Sequence, residues 1–109
     1  MLDLNLLVLE GTISSKFYVQ TGVNDKGISA INFTLTNVPS EGKRFKYACV
    51  AWRTDPEKFQ EEYKEGDFIR VTGHLQQSPY PIPDGNGKIT YLGKVSADKI
   101  DVITPISDV

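Results

Sequence analysis

Cysteine, histidine and tryptophan each occur once in these 109 residues. The lone Cys49 has no internal disulfide partner, and with no signal peptide ahead of the domain a reducing, cytoplasmic compartment is expected. Cys49 and His74 together are too few to build a zinc site of the usual ligand spacing. No glycine motif opens a helix to cradle phosphate, since Gly85-Asn86-Gly87 precedes none, and no serine or cysteine has a base and an orienting group in evident support. Nothing positive therefore points to an enzyme, a cofactor or a metal. Long apolar runs are missing too. Leu4-Asn5-Leu6-Leu7-Val8-Leu9 is too short to span a bilayer and lacks a basic lead and a cleavage site, so it is expected to stay as a strand. Bulk positive charge is also lacking: a net charge of −2 and a pI near 5.3 exclude capture of nucleic acid by overall charge alone.

What is present is charge of both signs, unevenly placed. Lys43, Arg44, Lys46 and Arg53 against Glu41 give residues 41–53 a balance of +3, whereas Asp55, Glu57, Glu61, Glu62, Glu65 and Asp67 against Lys58 and Lys64 give residues 55–67 a balance of −4. A basic side and an acidic side follow if the two segments face apart. The length suits one domain, residues 1–109.

Most of the chain reads as strand. A buried apolar run over 4–13 meets Gly11, a place for a bend or bulge. In 29–36, Ile31, Phe33 and Leu35 alternate as core positions with outward Asn32, Thr34 and Thr36. The turn cluster Gly22-Val23-Asn24-Asp25-Lys26-Gly27 predicts that these two strands are neighbours. A third strand over 43–53 divides by parity: Phe45, Tyr47, Cys49 and Ala51 on one face, Arg44, Lys46, Ala48, Val50 and Trp52 on the other. The second set is the candidate ligand face. One helix follows, with Asp55 as cap, Pro56 in the first turn, Phe59 and Tyr63 on its packing face and Gly66 at its end. The fourth strand, 67–77, places Ile69, Val71 and Leu75 inward, with a bend at Gly73. Three prolines keep 78–83 from serving as an ordinary hairpin arm. Residues 84–87 turn the chain back, and 88–103 form the last strand. Three strands, a short helix and two strands make an all-β, five-stranded oligonucleotide/oligosaccharide-binding (OB-fold) barrel with the helix between strands 3 and 4.

At the level of residues the chain resembles the bacterial and phage single-stranded DNA-binding proteins over about 4–103. Asn5-Leu6-Leu7-Val8-Leu9-Glu10-Gly11, Phe33-Thr34-Leu35 and Cys49-Val50-Ala51-Trp52 are similar to the family's first three strands. Tyr63-Lys64-Glu65-Gly66-Asp67-Phe68-Ile69-Arg70-Val71-Thr72-Gly73-His74-Leu75 is the most specific segment, similar to its helix end, turn and fourth strand. The resemblance places base-stacking aromatics at Trp52 and at Tyr80, five residues beyond Leu75. Two further stacking positions of the family fall at Lys46, where Phe45 is the nearest ring, and near Glu41. The family's linker and acidic, phenylalanine-tipped tail have no counterpart in Ile103-Thr104-Pro105-Ile106-Ser107-Asp108-Val109. A small phage or plasmid version, a truncated paralogue or a primosomal barrel protein would each fit that departure. Dimers or tetramers are implied as well, with the first strand and the neighbourhood of Tyr47 as one interface and the outer face of strand 4 as another.

Sequence-tolerant binding of single-stranded DNA in replication, recombination or repair is the resulting expectation. Trp52 and Tyr80 stack bases, helped by Phe45 or Tyr91, and Lys43, Arg44, Lys46 and Arg53 meet phosphates, with Lys88, Lys16 and Lys94 as weaker additions. Blander roles stand beside these. Trp52 can close the core, although its parity mates Arg44 and Lys46 do not belong there. Tyr80 can pack within its loop. Phe45 and Tyr47 are assigned to the core or a subunit interface. The alternatives in function are a primosomal-type replication accessory protein that chiefly contacts other replication proteins, and a barrel that binds protein only.

Overall fold

The computed structural model describes residues 3–21, 27–77 and 93–103, together with the backbone of 82–83 and 89–90. Its elements are β1 (Leu7–Ile13), β2 (Tyr18–Gln20), β3 (Ser29–Ser40), β4 (Lys43–Arg53), α1 (Pro56–Glu62), β5 (Phe68–Gln77), β6 (Ile82–Pro83), β7 (Ile89–Thr90) and β8 (Gly93–Val102). The main sheet runs β1-β5-β8-β4-β3-β2, and a further β1–β3 pairing closes five of its strands into a barrel. Every neighbour pair in it is antiparallel except β4–β8, which is parallel over Cys49–Ala51 and Val95–Ala97. This is the expected OB-fold-like arrangement, with α1 between β4 and β5. No described helix is long and apolar enough to cross a membrane.

Closure requires β1 to serve two partners. Leu7–Thr12 pair with β5, whereas Thr12 and Ile13 also meet Thr36 and Leu35 of β3. Gly11 sits where the strand changes partner, and a Cβ there would collide with the Thr36 carbonyl. Beyond Ile13 the ladder breaks, and two serines bridge the gap. The Ser14 amide donates to the Thr34 carbonyl at 2.9 Å, and the Ser15 hydroxyl accepts from the Thr34 amide at 2.8 Å. The chain then rejoins β3 as β2, a strand that the sequence reading had not separated. It is β2 that pairs closely with β3 across the 22–27 turn cluster, while β1 touches β3 at only two positions.

Alternation along the strands fills the interior. Ile31, Phe33 and Leu35 of β3, Cys49 and Ala51 of β4, Ile69 and Val71 of β5, and Val95, Ala97 and Ile100 of β8 are all buried. Each large aliphatic side chain removed from water contributes about 1.5–3 kcal/mol. At one end the barrel is plugged by α1. Asp55 accepts from the Lys58 amide at 3.1 Å as its cap, and Pro56 occupies the first turn. A seven-residue helix has little stability of its own, so it is held by packing. Phe59 fits edge-on to Phe17 at 5.4 Å and meets Tyr63 at 4.8 Å, and Tyr63 donates its hydroxyl to the Ile100 carbonyl at 3.3 Å.

The other end has no such plug among the described residues, which explains why three apolar residues there are exposed. Leu75 has inward parity yet is 57 % exposed, and Phe45 and Tyr47, assigned to the core or an interface, are 47 % and 39 % exposed and so stand outside the core. β4 gains its parallel partner only from Cys49 onward, so among the described strands Lys43–Ala48 pair with β3 alone. Inward parity buries a side chain only where something lies across from it. The same reason exposes Leu4 and Leu6, placed in a buried strand from residue 4; β1 starts at Leu7, and only Leu7 and Leu9 pack partly on the core. Asn5 is instead stitched to the backbone of Leu75, donating at 2.8 Å and accepting at 3.0 Å. The last long strand begins at Gly93 rather than 88. Ile82 and Pro83 do pair, with Thr90 and Ile89, because a two-stranded ladder tolerates the donor that proline lacks.

Candidate nucleic-acid interface

β2, β3 and β4 contain no aspartate or glutamate, although acids outnumber basic residues in the whole chain. Their pairing register assembles an outer face row by row. Tyr18 lies opposite Asn32, Asn32 opposite Val50, and Val50 opposite Ser96 of β8. The next row holds Gln20, Ala30 and Trp52; in the other direction Thr34 faces Ala48, and Thr36 faces Lys46. Ala30, Val50 and Ser96 in these rows are buried, so the accessible surface is carried by the side chains around them. Trp52 is therefore a face residue, 36 % exposed, and not the closing residue of the core. Tyr18, at 66 % exposure, is the second ring of the face. Two strand spacings and one two-residue step put the Cα atoms of these rings about 12 Å apart. Lys46 lies about 20 Å along β4 from Trp52 on the same side, with Arg44 beyond it; both are exposed and in no ion pair among the described residues.

Between Tyr18 and Ala48 lies an open recess of about 220 Å³, bordered also by Lys16, Asn32, Thr34 and Lys94. Lys94 immediately precedes Val95, the parallel partner of Cys49, so it starts beside Ala48. Ala48 offers only a methyl group, which leaves room for the lysine stem to cross β4. The Lys94 ammonium then donates to the Asn32 amide oxygen at 2.8 Å.

The remaining expected site residues divide. Lys43 is exposed near the β3–β4 turn, on the parity opposite to Trp52. Phe45 shares that parity and, with Tyr47, belongs to the open barrel end. Arg53 is drawn into the fold: it donates to the Trp52 carbonyl at 2.9 Å and to the Ala97 carbonyl at 3.5 Å, with its guanidinium 5.7 Å from the centre of the Phe59 ring. It braces the helix end, away from Lys46. Tyr80, Lys88 and Tyr91 lie outside the described residues. Tyr18 and Asn32 are the face residues that sequence reasoning passed over as ligands. The available signal was the alternation of exposed Tyr18 and Gln20 about Val19, too short to register as a strand.

Opposite charge collects elsewhere. Glu57, Glu61, Glu62 and Glu65 on and after α1 are exposed, and burial followed by the neighbouring Glu62 raises the Tyr63 hydroxyl above its ordinary range. Glu10 accepts from Arg70 at 2.6 and 2.8 Å on the β1–β5 surface, a half-exposed pair worth about 0–1 kcal/mol.

Cys49, under the face, is 1 % exposed, and burial pushes its thiol up to about 12 from an ordinary 9. The protonated thiol is the form the fold prefers. Its contribution is complete below pH 9 and is lost as pH rises through about 12. Alkylation at pH 8 is accordingly expected to spare Cys49 in the native protein and modify it fully in denaturant, read by intact mass. Fast native labelling would contradict this burial. No protein-family model matches the chain, and no curated protein matches it significantly.

Proposed function

We propose that this protein binds single-stranded DNA with little sequence preference, along the outer face of β2, β3 and β4. The observation that supports it is the acid-free face itself, on which exposed Trp52 and Tyr18 are set among Lys16, Arg44 and Lys46. Flat rings stack on any base, and cations along the strand meet phosphates. Duplex is a poor ligand for such a face because its bases are already stacked. Two stacks of about 1–3 kcal/mol each give modest affinity per subunit, and a dimer or tetramer raises it by placing several faces on one strand. The exposed Phe45, Tyr47 and Leu75 at the open barrel end supply apolar surface for such self-association. That surface also favours the second reading, a primosomal-type accessory whose principal contact is another replication protein. A single cysteine, with no internal disulfide partner, suits work in the cytoplasm in either case.

Trp52 is the only tryptophan, so its fluorescence reports this position alone. Titration with oligo-dT at low ionic strength is expected to change the emission, with an affinity that falls as salt rises by about 0.7 log units per log of salt for each phosphate contacted. Trp52→Ala is expected to weaken all single-stranded sequences alike, by roughly 5- to 150-fold, whereas Lys46→Ala lowers the salt slope. Unchanged emission together with no salt-sensitive binding would leave the protein-contact reading in its place.

A further inference from the structure

The recess beside Tyr18 has more chemistry than a stacking surface needs. Asn32 is held in one orientation: its amide nitrogen donates to the Tyr18 carbonyl at 3.3 Å and to the Gln20 side-chain oxygen at 3.5 Å, while its oxygen accepts from Lys94 at 2.8 Å. The ammonium of half-buried Lys94 is thereby fixed at Asn32, with two of its three N–H donors uncommitted among the described residues. A phosphate contact requires neither this burial nor this fixation, and exposed Lys46 and Arg44 already offer it. The Tyr18 ring provides a wall, and the Thr34 hydroxyl lies on the border.

Resting on the proposed binding of single-stranded DNA, we infer that this recess is a base-reading subsite that favours bases with carbonyl acceptors, thymine and guanine, over adenine. An unpaired base can be splayed from the strand and read along its edge. A donor-only ammonium matches the O4 of thymine or the O6 and N7 of guanine. Adenine turns its N6 amino group, itself a donor, toward part of the same edge. The rest of the face stays indifferent to sequence, so the preference belongs to one nucleotide position.

The test is binding of oligo-dT and oligo-dA, by anisotropy at fixed salt, to the wild type, Lys94→Met and Asn32→Ala. Methionine keeps the length of the stem and removes the donors; Asn32→Ala keeps the charge and releases it from its fixed position. Both variants are expected to lose about tenfold in affinity for oligo-dT and to hold oligo-dA within twofold, with circular dichroism unchanged. Comparing variants cancels the self-stacking of oligo-dA, which is the same for each. Equal losses for both oligomers in Lys94→Met, with the salt slope reduced by about 0.7, would make Lys94 a phosphate contact and overturn the inference. So would unaltered discrimination in either variant. Failure of the wild type to bind either oligomer is a different result, and it removes the functional reading itself.

Discussion

Gly73→Ala is expected to cost the protein about 3 kcal/mol or more, the upper end for overpacking, out of a total stability of about 5–15 kcal/mol. The register of β5 against β8 slips between Thr72 and Gly73: Thr72 faces Lys99 and Gly73 faces Ala97, which leaves Asp98 as the extra residue of a bulge. The bent backbone passes so close to Gly73 that an added Cβ would overlap the Ser96 carbonyl oxygen and lie 2.9 Å from its carbon and 3.2 Å from the Asp98 nitrogen. These are main-chain atoms, so no rotamer change can relieve the contact. The bulge has to open, and with it the Ser96 segment that lies opposite Val50 on the candidate interface. Urea unfolding followed by Trp52 fluorescence measures the cost. A midpoint within experimental error of the wild type would show that the bulge yields freely.

The second large effect is expected where α1 plugs the barrel. Phe59→Ala should destabilise by about 3–5 kcal/mol, the range for emptying a buried aromatic site. Phe59 is 4 % exposed and touches Phe17, Phe33 and Tyr63, with ring centres between 4.8 and 6.4 Å, while Arg53 lies over its face. Its removal leaves the seven-residue helix with no buried residue. At about 4 °C per kcal/mol for a chain of this size, Tm should fall by at least about 12 °C, measured by circular dichroism. Phe59→Leu, which keeps most of the volume, should lose less than half as much. A similar loss for both substitutions would mean that ring geometry rather than volume anchors the helix.

Legibility differed from residue to residue for physical reasons. Asp55, Pro56, Phe59 and Tyr63 act within a few positions of one another, so their capping and packing could be read directly. Ile31, Phe33 and Leu35 announced a core face by alternation alone. Leu75 carried the same pattern, and there it misled; Phe45 and Tyr47, given to the core or an interface, lie outside the core as well. Parity states which side of a strand a residue occupies but not whether the barrel continues across from it. Arg53 shows another limit: its charge grouped it with Lys46, and its parity sends it to the helix end, where carbonyls and a ring engage it.

The amino-acid sequence by itself determined an all-β chain with one capped helix, a barrel of five principal strands, a Gly73 bend and the two-sided character of β4. The elements follow from local geometry, that is side-chain alternation, proline and glycine constraints and short-range capping, and the barrel from the order in which they succeed one another. Only the tertiary structure decided what stands beside Trp52. Tyr18, Asn32 and Lys94 come from three strands distant in sequence, and it is interstrand register, a non-local property, that brings them to one face. Around Trp52 and Lys46 of the third expected strand, that register gathers the acid-free surface shared by β2, β3, β4 and the start of β8, while the expected Tyr80, Tyr91 and Lys88 lie outside the described residues.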